Sequence, residues 1–185
     1  AVATKLDGTI DVTQVFSSGW AFAALRAGGS VVTWGDASYG GNSSAVAAKL
    51  DGTIDVMQMF STERAFAALR ADGSVVTWGD ASYGGDSSAA ATKLNGTIDV
   101  MQVASTERAF AALRADGSVV TWGDASFGGD SSAMAIILDG TIDVTQVFST
   151  WYAFAALRAD GSVVTWGYAS TGGDSSAVAA KLDGT

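Results

Sequence analysis

Carboxylates are the most numerous ionisable groups in this sequence: 19 Asp and Glu stand against 10 Lys and Arg, with no His and no Cys in 185 residues. Without Cys there is no disulfide, no thiolate nucleophile and no thiolate zinc site. Without His the commonest general base and transition-metal ligand is missing. What remains is hard-oxygen ligation of Ca²⁺, or a carboxylate pair flanking a glycosidic bond. The candidates are Asp7, Asp51 and Asp139; Asp11, Asp55, Asp99 and Asp143; Asp36, Asp80 and Asp124; and Asp86, Asp130 and Asp174. None of these runs has the alternating acidic spacing and terminal Glu of an EF-hand loop, and none matches the nonapeptide calcium repeat. Turn formation and solubility therefore account for them, with calcium as a subordinate reading and no cofactor expected. Glu63 and Glu107 are the only glutamates, and every Asp recurs like a structural part. A catalytic site normally breaks repeat symmetry, so a carboxylate-dependent glycan-active enzyme is the least favoured function and a non-enzymatic protein is expected.

A second set of candidates is aromatic. Trp34, Trp78, Trp122 and Trp166 recur at one position and could form a row of stacking platforms for sugars or aromatic ligands. A large aromatic at a fixed strand position is also what packed repeats need, so these four are assigned to the structural core between repeats. A third set lies where the copies differ: Ser18-Gly19-Trp20, Thr62-Glu63-Arg64, Thr106-Glu107-Arg108 and Thr150-Trp151-Tyr152. Such variation marks a loop tip, where local constraint is loose or neighbours differ. Trp20, Glu63, Arg64, Glu107, Arg108, Trp151 and Tyr152 are accordingly the candidate contacts to a partner or to another copy. The Glu-Arg pairs on their own read as solvated ion pairs, which contribute about 0–1 kcal/mol when exposed.

The elements that carry these residues follow from an internal repeat. Leu-Asp-Gly-Thr begins at Leu6, Leu50, Leu138 and Leu182, and Leu94-Asn95-Gly96-Thr97 supplies the remaining copy, so the period is 44 residues throughout. The chain divides into repeats 6–49, 50–93, 94–137 and 138–181, with partial repeats at 1–5 and 182–185, in a single array over 1–185. It starts and stops within a repeat, and neither end differs from the interior copies. A fragment of a longer protein, or a repeat that stacks end to end with other chains, is the expectation.

Within the second repeat, Ile54-Asp55-Val56-Met57-Gln58-Met59-Phe60 alternates apolar and polar residues with the period of a half-buried strand. Ala65-Phe66-Ala67-Ala68-Leu69-Arg70 and Ser74-Val75-Val76-Thr77-Trp78-Gly79 then flank Asp72-Gly73, a strong hairpin signal that recurs at Asp116-Gly117 and Asp160-Gly161 and as Gly28-Gly29. Asp80 to Ser88 reads as a glycine-rich surface loop. The stretch Ala89-Ala90-Ala91-Thr92-Lys93-Leu94 is about one and a half helical turns long and is assigned to a short outer strand. With no proline in the chain, every interior N–H is available to a ladder.

The run Ala65 to Asp80, with Val56-Met57-Gln58-Met59 before it and Tyr83-Gly84-Gly85 after it, resembles the regulator of chromosome condensation repeat. That family's pattern is an Ala-Leu strand, an Asp-Gly turn, a Val-x-x-Trp-Gly strand and a Tyr-Gly loop. The resemblance implies an all-β fold of antiparallel β-meander repeats forming β-propeller-like blades. This unit is shorter than is usual there, and Gly-Asp-Ser stands where Gln-Leu-Gly commonly follows the Tyr-Gly. An open β-solenoid or filament-forming stack is the alternative, because radial and translational packing bury a repeat's apolar face equally well.

Composition narrows the partners. At 48% hydrophobic and 16% charged residues the chain is that of a folded protein. A net charge of −9 and a pI near 4.2 argue against nucleic acid and anionic lipid, since no basic surface is present to release counterions. No stretch reaches the roughly 20 apolar residues that a membrane-inserted helix needs. The expected function is a structural or adhesive repeat scaffold, secreted or surface-displayed and able to self-assemble into a filament or surface array. A propeller-type module binding a protein partner is the alternative.

Overall fold

The computed structural model describes residues 6–184; the partial repeat at 1–5 and Thr185 lie outside the described residues. Twelve strands form four three-stranded antiparallel sheets, each confined to one repeat with its strands in chain order. The first sheet holds β1 (Val12–Ser17), β2 (Ala21–Arg26) and β3 (Val31–Gly35). The second holds β4 (Val56–Ser61), β5 (Ala65–Arg70) and β6 (Val75–Gly79). The third holds β7 (Val100–Ser105), β8 (Ala109–Arg114) and β9 (Val119–Gly123). The fourth holds β10 (Val144–Ser149), β11 (Ala153–Arg158) and β12 (Val163–Gly167). Pairing within a repeat, rather than between successive repeats, makes these propeller-like blades and not the coils of a solenoid.

The hairpin between the second and third strands closes through a short turn in which Arg70 N–H donates to the Ser74 carbonyl and Gly73 N–H donates to the Arg70 carbonyl. Gly73 sits at φ +71°, and a Cβ there would lie 2.6 Å from Asp99 Cα in the next repeat. Glycine is therefore required twice, by its own turn and by the neighbouring blade. The first strand is less regular than its alternation suggests: it starts at Val56, beyond Ile54, and a bulge shifts its register between Val56 and Gln58. Val56 and Met59 both turn inward as a result.

The central strand of the second and third blades is buried on both sides. Ala65 and Ala67 face the third repeat, where they meet Val100, Val103 and Phe110; Phe66 and Ala68 face the first, meeting Ala21, Ala23 and Leu25. The same pairing joins the third repeat to the fourth. Small alanines on one face and a phenylalanine on the other let adjacent sheets interdigitate closely.

The outer strand assigned to 89–94 is not formed. Ser88–Lys93 is a short 3₁₀ helix, as are Ser44–Lys49, Ser132–Met134 and Ser176–Lys181. The preceding side chain starts the turn: Asp86 Oδ1 accepts from Ser88 N–H at 2.8 Å, and Asn42, Asp130 and Asp174 do the same in the other repeats. The alanines that follow carry no β-branch or alternation to oppose helical geometry. The edge of the third strand is met instead by one carbonyl, with Val75 N–H donating to Leu94 O at 2.9 Å.

Candidate binding surface

The four variable tips come together. Backbone hydrogen bonds link them in series: Gly19 N–H donates to the Glu63 carbonyl at 2.7 Å, Glu63 N–H to Glu107 O at 2.9 Å, and Glu107 N–H to Trp151 O at 2.8 Å. Hydroxyls add a second series, with Ser61 Oγ donating to Ser17 O and Ser105 Oγ to Ser61 O, both at 2.8 Å. Around them opens a cleft of about 930 Å³, framed by Ser17, Ser61, Ser105 and Ser149, the Glu63 and Glu107 loops and Trp151. Each tip is also pinned to its own repeat. Thr62 Oγ1 donates to Tyr83 O at 2.9 Å, and Ser18, Thr106 and Thr150 make the equivalent bond to Tyr39, Phe127 and Thr171.

The third tip residue has a different surrounding from the second. The Arg64 guanidinium lies 4.8 Å from the ring centres of both Tyr39 and Tyr83, and Arg108 lies 4.9 Å from Tyr83 and 4.6 Å from Phe127. At one end of this row Trp20 stacks on Tyr39 at 5.0 Å; at the other Tyr152 packs between Phe127 and Tyr168. Trp20, Arg64, Arg108 and Tyr152 thus alternate with loop aromatics in one continuous ladder of flat groups. The exchange of Trp, Arg and Tyr at that position keeps planarity and gives up only charge, which suits cation–π and ring stacking equally.

Of the residues singled out from sequence, Trp151 is the aromatic tip side chain left outside the ladder and is 74% exposed, while Trp20 is 69% exposed despite its stack. Glu63 and Glu107 pair with their neighbours Arg64 and Arg108 at 3.7 and 3.2 Å. Arg64, Arg108 and Tyr152 are packing residues as much as surface ones. Trp78, Trp122 and Trp166 are buried, stack on Phe66, Phe110 and Phe154 at 5.3 Å, and donate their indole N–H to Gly40, Gly84 and Gly128 of the preceding repeat. Trp34 stacks on Phe22 in the same way but is only half-buried.

Tyr39, Tyr83, Phe127 and Tyr168 were not singled out. The loop read as surface from Asp80 to Ser88 in fact turns through Ala81–Tyr83, and Tyr83 is buried. Its signal in the sequence is an aromatic recurring every 44 residues until Thr171, where Tyr168 replaces the usual Asp and supplies the ring. The aspartates serve these turns. Asp51 and Asp139 each accept from Thr N–H two residues on, and these bonds hold their carboxyls below the usual range. At Asp72 burial acts to raise the carboxyl, but the Ser74 hydroxyl and N–H, with Arg70, outweigh it and the net direction is down. Among the described residues no three Asp or Glu converge as a metal cluster would.

No protein-family model matches the sequence, and no curated protein does. Among solved structures the chain is similar to yeast RCC1 (Prp20), crystallised with Kap60, with a TM-score of 0.60 at 18% identity over 90% of this chain and 45% of that one. The likeness is one of fold. It extends to the receptor kinase CR4 ectodomain of Physcomitrella patens, with a TM-score of 0.57 at 16% identity over 87% of this chain and 42% of that one. Human WBSCR16 gives 0.53 at 20% identity over 85% and 48% respectively. The chain spans less than half the length of each. Its blades are of the RCC1 kind in shape.

Proposed function

We propose that this chain is a non-enzymatic repeat scaffold that acts by binding protein, through the face where its four tips meet. The observation that carries the reading is the convergence of those tips on one cleft, with Trp151 projecting at its rim. The yeast neighbour held by Kap60 in its crystal supports a blade scaffold that binds protein. Charge selects the partner's chemistry: a chain of net charge −9, with Glu63 and Glu107 at the cleft, attracts a basic segment and repels an acidic one. Aromatic anchors such as Trp151 are the residues that dominate protein interfaces when buried by a partner.

Titration of the protein with fluorescently labelled Lys/Arg-containing peptides, read by anisotropy, tests this. Trp151→Ala is expected to weaken binding about tenfold, the equivalent of roughly 1.4 kcal/mol, without changing far-UV circular dichroism. Absence of binding by every basic peptide, or equal binding by the variant, would sink the proposal. Charge reversal at Arg64 or Arg108 is the wrong test, since both are sandwiched between rings and their loss disturbs the scaffold itself.

A second reading, self-association into a structural array, is favoured by a separate observation. Among the described residues, Phe22 and Val15 of the first repeat are exposed where their counterparts in the later repeats are buried.

A further inference from the structure

We infer that the joint between successive blades has two alternative fastenings at its inner edge, and that the one in force sets how strongly the tip cleft binds; the second part rests on the protein-binding reading of that cleft. Each of the three joints holds both fasteners: a glutamine of the earlier blade, Gln14, Gln58 or Gln102, and a serine of the later blade, Ser61, Ser105 or Ser149.

Their use differs from joint to joint. Between the first and second blades, and between the second and third, the serine hydroxyl donates to the serine carbonyl of the earlier blade at 2.8 Å, while Gln14 and Gln58 are exposed and make no side-chain hydrogen bond among the described residues. Between the third and fourth blades the pattern is reversed. Gln102 reaches both main-chain groups of Val147, its Nε2 donating to the carbonyl at 2.7 Å and its Oε1 accepting from the N–H at 3.1 Å, and Ser149 Oγ makes no bond to Ser105 O. The carboxamide stands in for a neighbouring strand on the open edge of β10.

The ends of the inner strand are held alike throughout. Val56, Val100 and Val144 N–H donate to a glycine carbonyl of the earlier blade at 2.9, 3.0 and 3.0 Å, and the tip bonds span only 2.7 to 2.9 Å. The difference therefore lies in the middle of the strand. It does not come from the receiving residue, since Val103 and Val147 are the same. It follows the side chain two positions after the glutamine, which packs toward the later blade: Phe16 and Phe60 at the serine-fastened joints, Ala104 at the glutamine-fastened one. A phenylalanine wedge keeps the facing inner strands beyond the reach of the glutamine, whereas alanine lets β10 settle against both β7 and β8. The consequence reaches the cleft, which Ser61, Ser105 and Ser149 frame. Ser61 and Ser105 spend their hydroxyls on the joint, and Ser149 keeps its hydroxyl for the carbonyl of a bound segment.

Urea unfolding reads the joint without any ligand. Removing a fastener in use, by Gln102→Ala or Ser105→Ala, should raise the unfolding constant about fivefold, and removing an idle one, by Gln58→Ala or Ser149→Ala, should leave it unchanged. Phe60→Ala should exchange the roles between the second and third blades, so that in its background Gln58→Ala is costly and Ser105→Ala is not. If Phe60→Ala fails to fold, Ala104→Phe makes the converse exchange between the third and fourth blades. Costs that stay with the same residues after the exchange would overturn the two fastenings. Anisotropy with the labelled Lys/Arg-containing peptides then reads the cleft: Phe60→Ala, which frees the Ser105 hydroxyl, should bind about fivefold more tightly than wild type, and Ala104→Phe about fivefold more weakly. Exchanged unfolding costs with unaltered peptide affinity would overturn the effect on the cleft alone. Failure of every basic peptide to bind the wild type would overturn the protein-binding reading and that effect with it, while the fastenings stand or fall by the urea result.

Discussion

At the scale of residues, the variable tip position is governed by shape rather than by charge. Arg108 lies between Tyr83 and Phe127, and Trp20 and Tyr152 fill the same rung elsewhere in the ladder. Two cation–π contacts at partly exposed sites contribute about 0.5–1 kcal/mol each. Arg108→Ala should therefore cost roughly 1–2 kcal/mol in urea unfolding, while Arg108→Trp should cost less than half of that because the planar filler is kept. Equal losses for the two would show that the Glu107 ion pair, rather than stacking, is what the arginine supplies. The ladder was not readable in the sequence because Arg64 follows Tyr39 by 25 positions and precedes Tyr83 by 19. These three residues belong to different loops, and only the packing of whole repeats brings them together. What the sequence did show was that Trp20, Arg64, Arg108 and Tyr152 occupy one equivalent place.

At the scale of elements, what was legible was whatever a few adjacent residues decide. The Ala-Leu strand, the Asp-Gly turn and the Val-x-x-Trp-Gly strand form as their alternation and turn chemistry require, with Phe66 directly opposite Trp78. The 3₁₀ helices were misread as strands because the alanine run has no period of its own and the deciding bond comes from the Asp86 side chain. Glycine in the Tyr-Gly loop shows how an inter-blade contact adds to a local requirement. Gly84 has φ +88° and a Cβ there would press on the ring of Phe110; at Gly172, with φ +108°, a Cβ would meet no described atom within 4 Å. Left-handed backbone costs an L-residue about 1–2 kcal/mol at either place, but only at Gly84 must a new methyl also displace a buried ring, for about 1–3 kcal/mol more. Gly84→Ala should lower the melting temperature by at least one and a half times as much as Gly172→Ala. Equal losses would mean that the blades yield at this contact.

At the scale of the whole molecule, stability below about pH 8 should depend on pH on the acid side alone. No histidine is present, so no side chain of ordinary pKa changes charge between about pH 5 and 8, and the melting temperature should be flat across that interval. Below it the turn aspartates act together. Asp51, Asp86, Asp130, Asp139 and Asp174 are lowered first by hydrogen bonds from main-chain N–H groups two residues on, and Asp7 first by the Thr9 hydroxyl. A carboxyl whose folded pKa lies below its unfolded value adds stability that is complete above the unfolded value, near 3.9, and is lost as pH falls through the folded one. The repulsion within a chain of net charge −9 acts in the opposite sense, since it favours protonation of the compact state. It does not prevail at these positions, because each is lowered on balance. The third repeat carries a natural comparison: Asn95 holds the place of Asp51 and Asp139, and its Oδ1 still accepts from Thr97 N–H at 2.9 Å. An uncharged amide therefore closes the same turn without a titrating group. Replacing Asp51 and Asp139 by Asn should leave the melting temperature at neutral pH close to that of the wild type and make its fall between about pH 4 and 2 shallower. A fall of unchanged steepness would place the acid sensitivity outside these turns.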